Sequence, residues 1–240
     1  MSQTYFHYET ATDVGRSFLD RLRIFPRQPD LLVYGVRAIA AATVRAWLRT
    51  YHRLQIRRRE NLPRSGSFVM VANHCSHLDA LCMLAALPWR QLNKAYPAAA
   101  TDYFFVSLPR VAAAAIFVNA MPFDRQHQMR RSIDVCRRVL RDDGTVLILF
   151  PEGTRSSDGQ MKQFRPGVGS LLAGLNVPVV PCAIVGANRA LPKGSIVPRP
   201  FGLKLIIGES RNYRAMKPEK ESARRISAEL HAAVRGLLCE

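Results

Sequence analysis

Thr145-Val146-Leu147-Ile148-Leu149-Phe150-Pro151-Glu152-Gly153-Thr154-Arg155-Ser156 is the stretch that decides the architecture. Its first half, Thr145–Phe150, is nearly all apolar and reads as a strand buried in a sheet. Glutamate, glycine, threonine and arginine then stand together at its end, a grouping that packing alone does not require. Gly153 lets backbone amides come close to an anion. Arg155 suits a two-pronged contact with a phosphate. Glu152 could bind hydroxyl groups of a substrate or hold Arg155 in place. The plain alternative is a solvated loop after a strand.

A second segment, Asn73-His74-Cys75-Ser76-His77-Leu78-Asp79, follows the apolar strand Phe68–Ala72. His74 therefore stands where a strand runs out into a loop, five positions ahead of Asp79. Asp79 can accept a hydrogen bond from one imidazole nitrogen, leaving the other to take a proton from a hydroxyl. Ser76 also suits a helix N-cap with Asp79 at N3, close to a capping box. The two readings are compatible, because one carboxylate has several acceptor sites. His74, Cys75, His77 and Cys82 match no common zinc spacing. Together the two segments describe an enzyme that deprotonates a hydroxyl on a phosphorylated substrate.

Working outward, the chain from residue 53 alternates between the two kinds of element. Strands are expected at Leu54–Arg58, Phe68–Ala72, Met121–Phe123, Thr145–Phe150, Val177–Ile184 and Leu203–Gly208. Helices are expected at 77–87, 102–117, 126–142, 167–175 and 218–238. This alternation predicts an α/β fold: a mixed, largely parallel sheet flanked by helices, with sites at the loops beyond the strand carboxyl ends. Three further segments lie near such ends. Arg125, in Phe123-Asp124-Arg125, could add a second cation. Phe164-Arg165-Pro166-Gly167 leads into a helix whose amides could face an anion. Val177-Pro178-Val179-Val180-Pro181-Cys182 reads as an edge strand or channel wall, or as simple core packing.

Ahead of this, residues 10–24 and 29–50 read as two helices separated by Pro26 and Pro29. Leu31–Leu48 is apolar but interrupted by Arg37 and Arg45, which are costly at the centre of a bilayer. Arg37, Arg45 and Arg49 fall within an arc of about 120° on a helical wheel, and apolar residues fill the rest. One reading is an amphipathic helix lying on or slightly in a bilayer surface. The other is a helix docked on the protein core. The expected domains are thus an N-terminal helical, membrane-associating segment, 1–52, and an α/β domain, 53–240.

The 240 residues carry a net charge of +17, with 48% hydrophobic content. Such an excess draws anionic partners. Nucleic acid is a poor fit, since aromatics are 8% and scattered and no binding motif is present. An anionic membrane surface or a phosphorylated substrate fits better. Five cysteines without a C-x-x-C pair suit reduced thiols. The first thirty residues lack a secretory signal pattern.

Four blocks in this order resemble the glycerolipid acyltransferases, and more narrowly the bacterial 1-acyl-glycerol-3-phosphate acyltransferases. They are Asn73-His74 with Asp79, Pro122-Phe123-Asp124-Arg125, Phe150–Ser156, and Val177–Pro181. The resemblance implies that His74 is the general base and Asp79 its orienting partner. It implies that Arg125, Glu152, Gly153, Thr154 and Arg155 hold the glycerol phosphate, and that Pro178 and Pro181 border the acyl site. It further implies acyl-CoA or acyl carrier protein as donor, a lysophospholipid acceptor, and no metal or other cofactor. The implied location is the cytoplasmic face of a bacterial inner membrane, peripheral or monotopic. Two departures stand out. The family's usual glycine before the second block is Asn119 or Ala120 here. A lysine often found ahead of that block is missing from Thr101–Arg110, where Asp102 and Tyr103 stand. The same chemistry on glycerol 3-phosphate, another lysophospholipid or a specialised lipid is the alternative.

Overall fold

The computed structural model describes residues 31–100, 119, 121–123 and 129–240. The helices expected at 10–24 and 102–117 lie outside them. Among the described residues seven strands form one sheet: β1 Gln55–Arg57, β2 Phe68–Ala72, β3 Ala95–Ala100, β4 Met121–Phe123, β5 Val146–Leu149, β6 Val179–Val185 and β7 Lys204–Ile207, in the order β1-β7-β6-β2-β5-β3-β4. Five of the six pairings are parallel and only β6 with β7 is antiparallel. The mixed, largely parallel α/β sheet is therefore present.

Two strand assignments change. β6 is not an edge strand, because it pairs with β2 on one side and β7 on the other. Pro181 removes one donor from this ladder, yet its carbonyl still accepts from the Gly208 N–H at 2.8 Å. β3 escapes the sequence pattern altogether. Ala-Tyr-Pro-Ala-Ala-Ala is poor in β-branched residues and carries a proline, but it lies between β5 and β4. Its partners supply the ladder that its own propensity does not.

Alternation along the strands divides the interior into two apolar layers. Phe68, Met70, Ala72, Val146, Ile148, Val180, Cys182 and Ile184 face one side, against α1 (Leu31–Thr50) and α2 (Leu78–Ala86). Val69, Val71, Leu147, Leu149, Val179 and Ala183 face the other, against α4 (Met129–Val139), α5 (Gly167–Leu172) and α7 (Lys220–Leu238). Short helices α3 (Trp89–Leu92) and α6 (Ala187–Ala190) complete the connections. All five cysteines are free thiols, and four of them are buried.

α1 docks on the body through its arginines. Arg37 is 8% exposed and donates to the Leu92 carbonyl at 2.9 Å. Burial lowers its pKa to about 10, so it stays charged at neutral pH. Arg45 donates to the Leu87 and Leu84 carbonyls at 2.5 and 3.3 Å, and its guanidinium lies 4.1 Å from the centre of the Trp89 ring. Those carbonyls close the carboxyl end of α2, where a cation complements the helix dipole. The outward face carries Gly35, Val36, Ala38, Ile39, Ala42, Thr43 and Ala46, all exposed, with Ile39 at 70%, and the exposed Arg49 follows them in the last turn. Two of the three arginines of the arc, Arg37 and Arg45, thus take the docked reading, while Arg49 and the apolar arc are left outside. Among the described residues no helix is long and apolar enough to cross a membrane.

α5 and α7 approach so closely that a Cβ on Gly169 would lie 1.9 Å from the Ala223 carbonyl oxygen. Neither backbone has room to give. Gly169→Ala is expected to cost about 3 kcal/mol or more of stability, read as a lowered urea midpoint. An unchanged midpoint would show that the two helices do not meet in this way.

Candidate active site

β2 and β5 are adjacent and parallel, with Val71 opposite Leu149, so the segments that follow them leave the sheet side by side. This brings the two motifs together. His74 lies two residues past β2, and Glu152 three past β5.

The His74 Nδ1 lies 2.8 Å from Asp79 Oδ2. That carboxylate is fully buried, whereas the His74 side chain keeps 20% of its surface exposed. The same Oδ2 accepts the Cys75 and Ser76 N–H groups at 2.7 and 2.8 Å. The Ser76 bond is one half of the capping box expected from the sequence. The helix begins one residue later than the expected cap, with His77 as its N-cap, so Ser76 Oγ instead accepts from the Leu78 N–H at 3.2 Å in the turn before it, and donates to the Leu191 carbonyl at 2.9 Å. Capping and orientation therefore coexist on one carboxylate. With Nδ1–H donated to Asp79, Nε2 is the imidazole atom left as a base. Phe150 stacks on the ring, with centroids 4.2 Å apart and planes 18° from parallel.

Glu152 has a different place from the one expected. It is 3% exposed, and its carboxylate accepts two backbone N–H groups, His74 at 2.7 Å and Lys162 at 3.1 Å. Burial raises its pKa, which those two donors partly offset. The Ser156 N–H in turn donates to the His74 carbonyl at 2.9 Å. The peptide of His74 is thus gripped on both sides by the segment after β5. Sequence alone marked Glu152 as polar and near the end of a strand, but gave no sign that its target is a backbone amide.

Gly153 has φ +74°, and a Cβ there would lie 2.7 Å from Arg165 Nε. Arg165 therefore lies against the loop that carries Thr154 and Arg155, both half-buried. Its sequence context, just ahead of Pro166 and Gly167, pointed to helix amides and not to this side chain. His77 sits near Arg155. Burial first and the Arg155 charge second lower its pKa to about 4, so it is neutral in ordinary buffers. Arg125 lies outside the described residues. Pro178 precedes β6 at the amino end of the sheet, and Pro181 lies within it opposite Val71. Neither belongs to the loop pair around His74. Asn119 takes φ +52°, is 1% exposed, and donates to the Asn93 and Ala95 carbonyls at 3.2 and 3.1 Å. Asparagine is the side chain that best tolerates this left-handed backbone in place of glycine. Among the described residues no cluster of three His, Cys, Asp or Glu side chains is arranged to hold a metal ion.

These loops sit on a sheet that other proteins share. A model of the acyltransferase family matches residues 53–185, more than half of the chain and inclusive of both loops. The chain belongs to the acyltransferase family. It is similar to a chloroplastic 1-acyl-sn-glycerol-3-phosphate acyltransferase of Brassica napus, 32% identical over 148 residues, 60% of this chain and 41% of that protein. It is also 32% identical to the human 1-acyl-sn-glycerol-3-phosphate acyltransferase alpha over 132 residues, 54% of this chain and 44% of that one. The chain thus spans less than half the length of these relatives. The crystal structure of a 1-acyl-sn-glycerophosphate acyltransferase from Thermotoga maritima has the same fold, with a TM-score of 0.62 and 23% identity over 85% of this chain and 78% of that one.

Two outcomes follow from this geometry. Glu152→Gln leaves one of the two N–H groups facing an amide N–H₂. It should lower turnover more than it raises the acceptor KM, because His74 shifts while Thr154 and Arg155 stay; an equal effect on both would place Glu152 against the acceptor instead. For His77 the folded pKa of about 4 lies below the unfolded 6.5. The unfolded chain therefore takes up the proton first, and stability should fall as pH drops from 6.5 towards 4. His77→Gln should flatten that part of the pH profile of the urea midpoint.

Proposed function

We propose that the protein moves a fatty acyl group from acyl-CoA or acyl carrier protein to the free hydroxyl of 1-acyl-glycerol 3-phosphate, giving phosphatidic acid. The observation that supports this most directly is the 2.8 Å contact between a partly exposed imidazole, His74, and a fully buried carboxylate, Asp79. The activities named for the related proteins point the same way.

In this reading the acceptor phosphate docks on Arg155 and on amides near Gly153, with Arg125 as a further cation. Docking turns an encounter into an oriented reaction at His74. His74 Nε2 takes the hydroxyl proton as the oxygen attacks the thioester carbonyl. Asp79 stabilises the resulting imidazolium. The C–S bond then breaks, and the thiolate leaves with the proton from His74. The acceptor supplies the nucleophile, so no acyl-enzyme forms, and Ser76 keeps its place in the turn before α2. The thioester is a co-substrate, and the reaction needs no further cofactor. The exposed apolar residues of α1, with Arg49 beside them, support a position on an anionic bilayer surface, peripheral or monotopic, at the cytoplasmic face of a bacterial inner membrane.

A panel of acceptors with labelled acyl thioester tests the proposal. 1-Acyl-glycerol 3-phosphate should be the best acceptor. Preference for glycerol 3-phosphate or another lysophospholipid would keep the chemistry and change the substrate. His74→Ala should reduce turnover on the order of a thousandfold with an unchanged melting temperature. Arg155→Ala should act mainly on the acceptor KM, and an unchanged KM would remove the phosphate assignment.

A further inference from the structure

The loop between α6 and β7 reads Pro192-Lys193-Gly194-Ser195-Ile196-Val197-Pro198-Arg199-Pro200-Phe201. Ile196 is 92% and Val197 74% exposed, and Phe201 is 36% exposed. Two adjacent β-branched aliphatic residues held almost wholly in water are unusual for a loop otherwise rich in polar and turn-forming residues.

The loop is tied down on both flanks. The Ser195 N–H donates to the Pro192 carbonyl at 3.0 Å, and the Arg199 N–H to the Ala190 carbonyl at 2.7 Å. The Tyr51 hydroxyl, just past α1, donates to the Pro198 carbonyl at 3.0 Å. His52 Nδ1 lies 3.1 Å from the Phe201 carbonyl. Three prolines stiffen what remains. The tip is thus presented by a braced frame.

The frame is also fastened to the active site. The Leu191 carbonyl accepts from Ser76 Oγ at 2.9 Å, and Lys193 Nζ donates to the Arg155 carbonyl at 3.5 Å. Along this stretch of chain the charge has one sign. No Asp or Glu lies between Asp158 and Glu209, whereas Arg189, Lys193, Arg199 and Lys204 all do. Arg189, Lys193 and Arg199 are exposed. An apolar tip flanked along the chain by exposed cations matches a bilayer with anionic headgroups: aliphatic side chains enter the acyl boundary and the cations meet phosphate.

We propose that Ile196 and Val197 form a membrane-inserting tip that sets the mouth of the His74 site against an anionic lipid surface. This rests on the acyltransferase reading and adds a second, catalytic-side contact to the one offered by α1. The tip fixes the height of the site above the lipid, so it governs access to acceptors that reside in a bilayer and has no part in the chemistry.

The test uses the whole chain carrying Ile196→Ser with Val197→Ser. Vesicles of phosphatidylglycerol and phosphatidylcholine give the binding readout. Acylation is measured on a long-chain lysophosphatidic acid held in those vesicles and on a short-chain, water-soluble homologue. Vesicle partition should weaken on the order of tenfold or more. Activity on the vesicle-held acceptor should fall in step, while activity on the soluble homologue should stay within twofold, or about that, of the parent. In a parallel variant, Ile196→Trp, brominated lipid should quench fluorescence beyond the Trp47 and Trp89 background. Unchanged partition and no added quenching would overturn the proposal. So would a change of oligomeric state with unchanged vesicle binding, which would show that a second copy covers the tip. A parent protein inactive on both acceptors would instead sink the acyltransferase reading, while partition and quenching would still report on the tip.

Discussion

The arrangement depends on the grip that the segment after β5 has on the backbone of His74. A buried carboxylate, Glu152, accepts the His74 N–H, and the Ser156 N–H reaches the His74 carbonyl. Neither contact touches the imidazole, yet both fix where its Cα stands. Asp79 then fixes the ring, while its oxygen also satisfies the first amides of the turn into α2. A carboxylate bonded to backbone N–H groups costs far less to bury than an unpaired one. Two parallel strands in register place the two loops, and two buried acids lock them. The loops hold each other above the sheet.

Much of this was legible in the residues. The near-continuous apolar runs at 68–72 and 145–150 announced buried parallel strands, and the polar clusters at their ends announced the site. Register was not legible. Only the observed pairing of Val71 with Leu149 shows that the two ends meet. β3 was hidden because alanine and proline carry little strand signal, and its neighbours impose the conformation. The role of Glu152 was hidden because a side chain's backbone partners depend on a separate loop. Arg165 was hidden because nothing local links it to Gly153, twelve positions earlier in the chain. Asn119 shows the reverse case. A residue named among the departures holds a left-handed backbone, which asparagine tolerates better than most side chains.

α1 shows how an arginine can serve packing. Periodicity placed Arg37 and Arg45 on one face but could not say which way that face turned. In the structure they point inward, where carbonyl oxygens near the end of α2 and in α3 receive them. A guanidinium has several donors and a flat face, so it can satisfy carbonyls and lie over Trp89 at once. The outward side is left with mostly apolar residues and a single arginine, Arg49, in the last turn. The helix is amphipathic, but its polar stripe is the one that binds the protein.

Phe150 sets a limit on the imidazole that distances alone do not state. With a flat ring stacked on one face of His74 and Nδ1 engaged at its rim, rotation about χ2 would break both contacts. Any group that exchanges a proton with this histidine must therefore travel in the plane of the imidazole, along the Nε2 lone pair. The trajectory of approach is prescribed by an aromatic neighbour that itself has no acid–base chemistry.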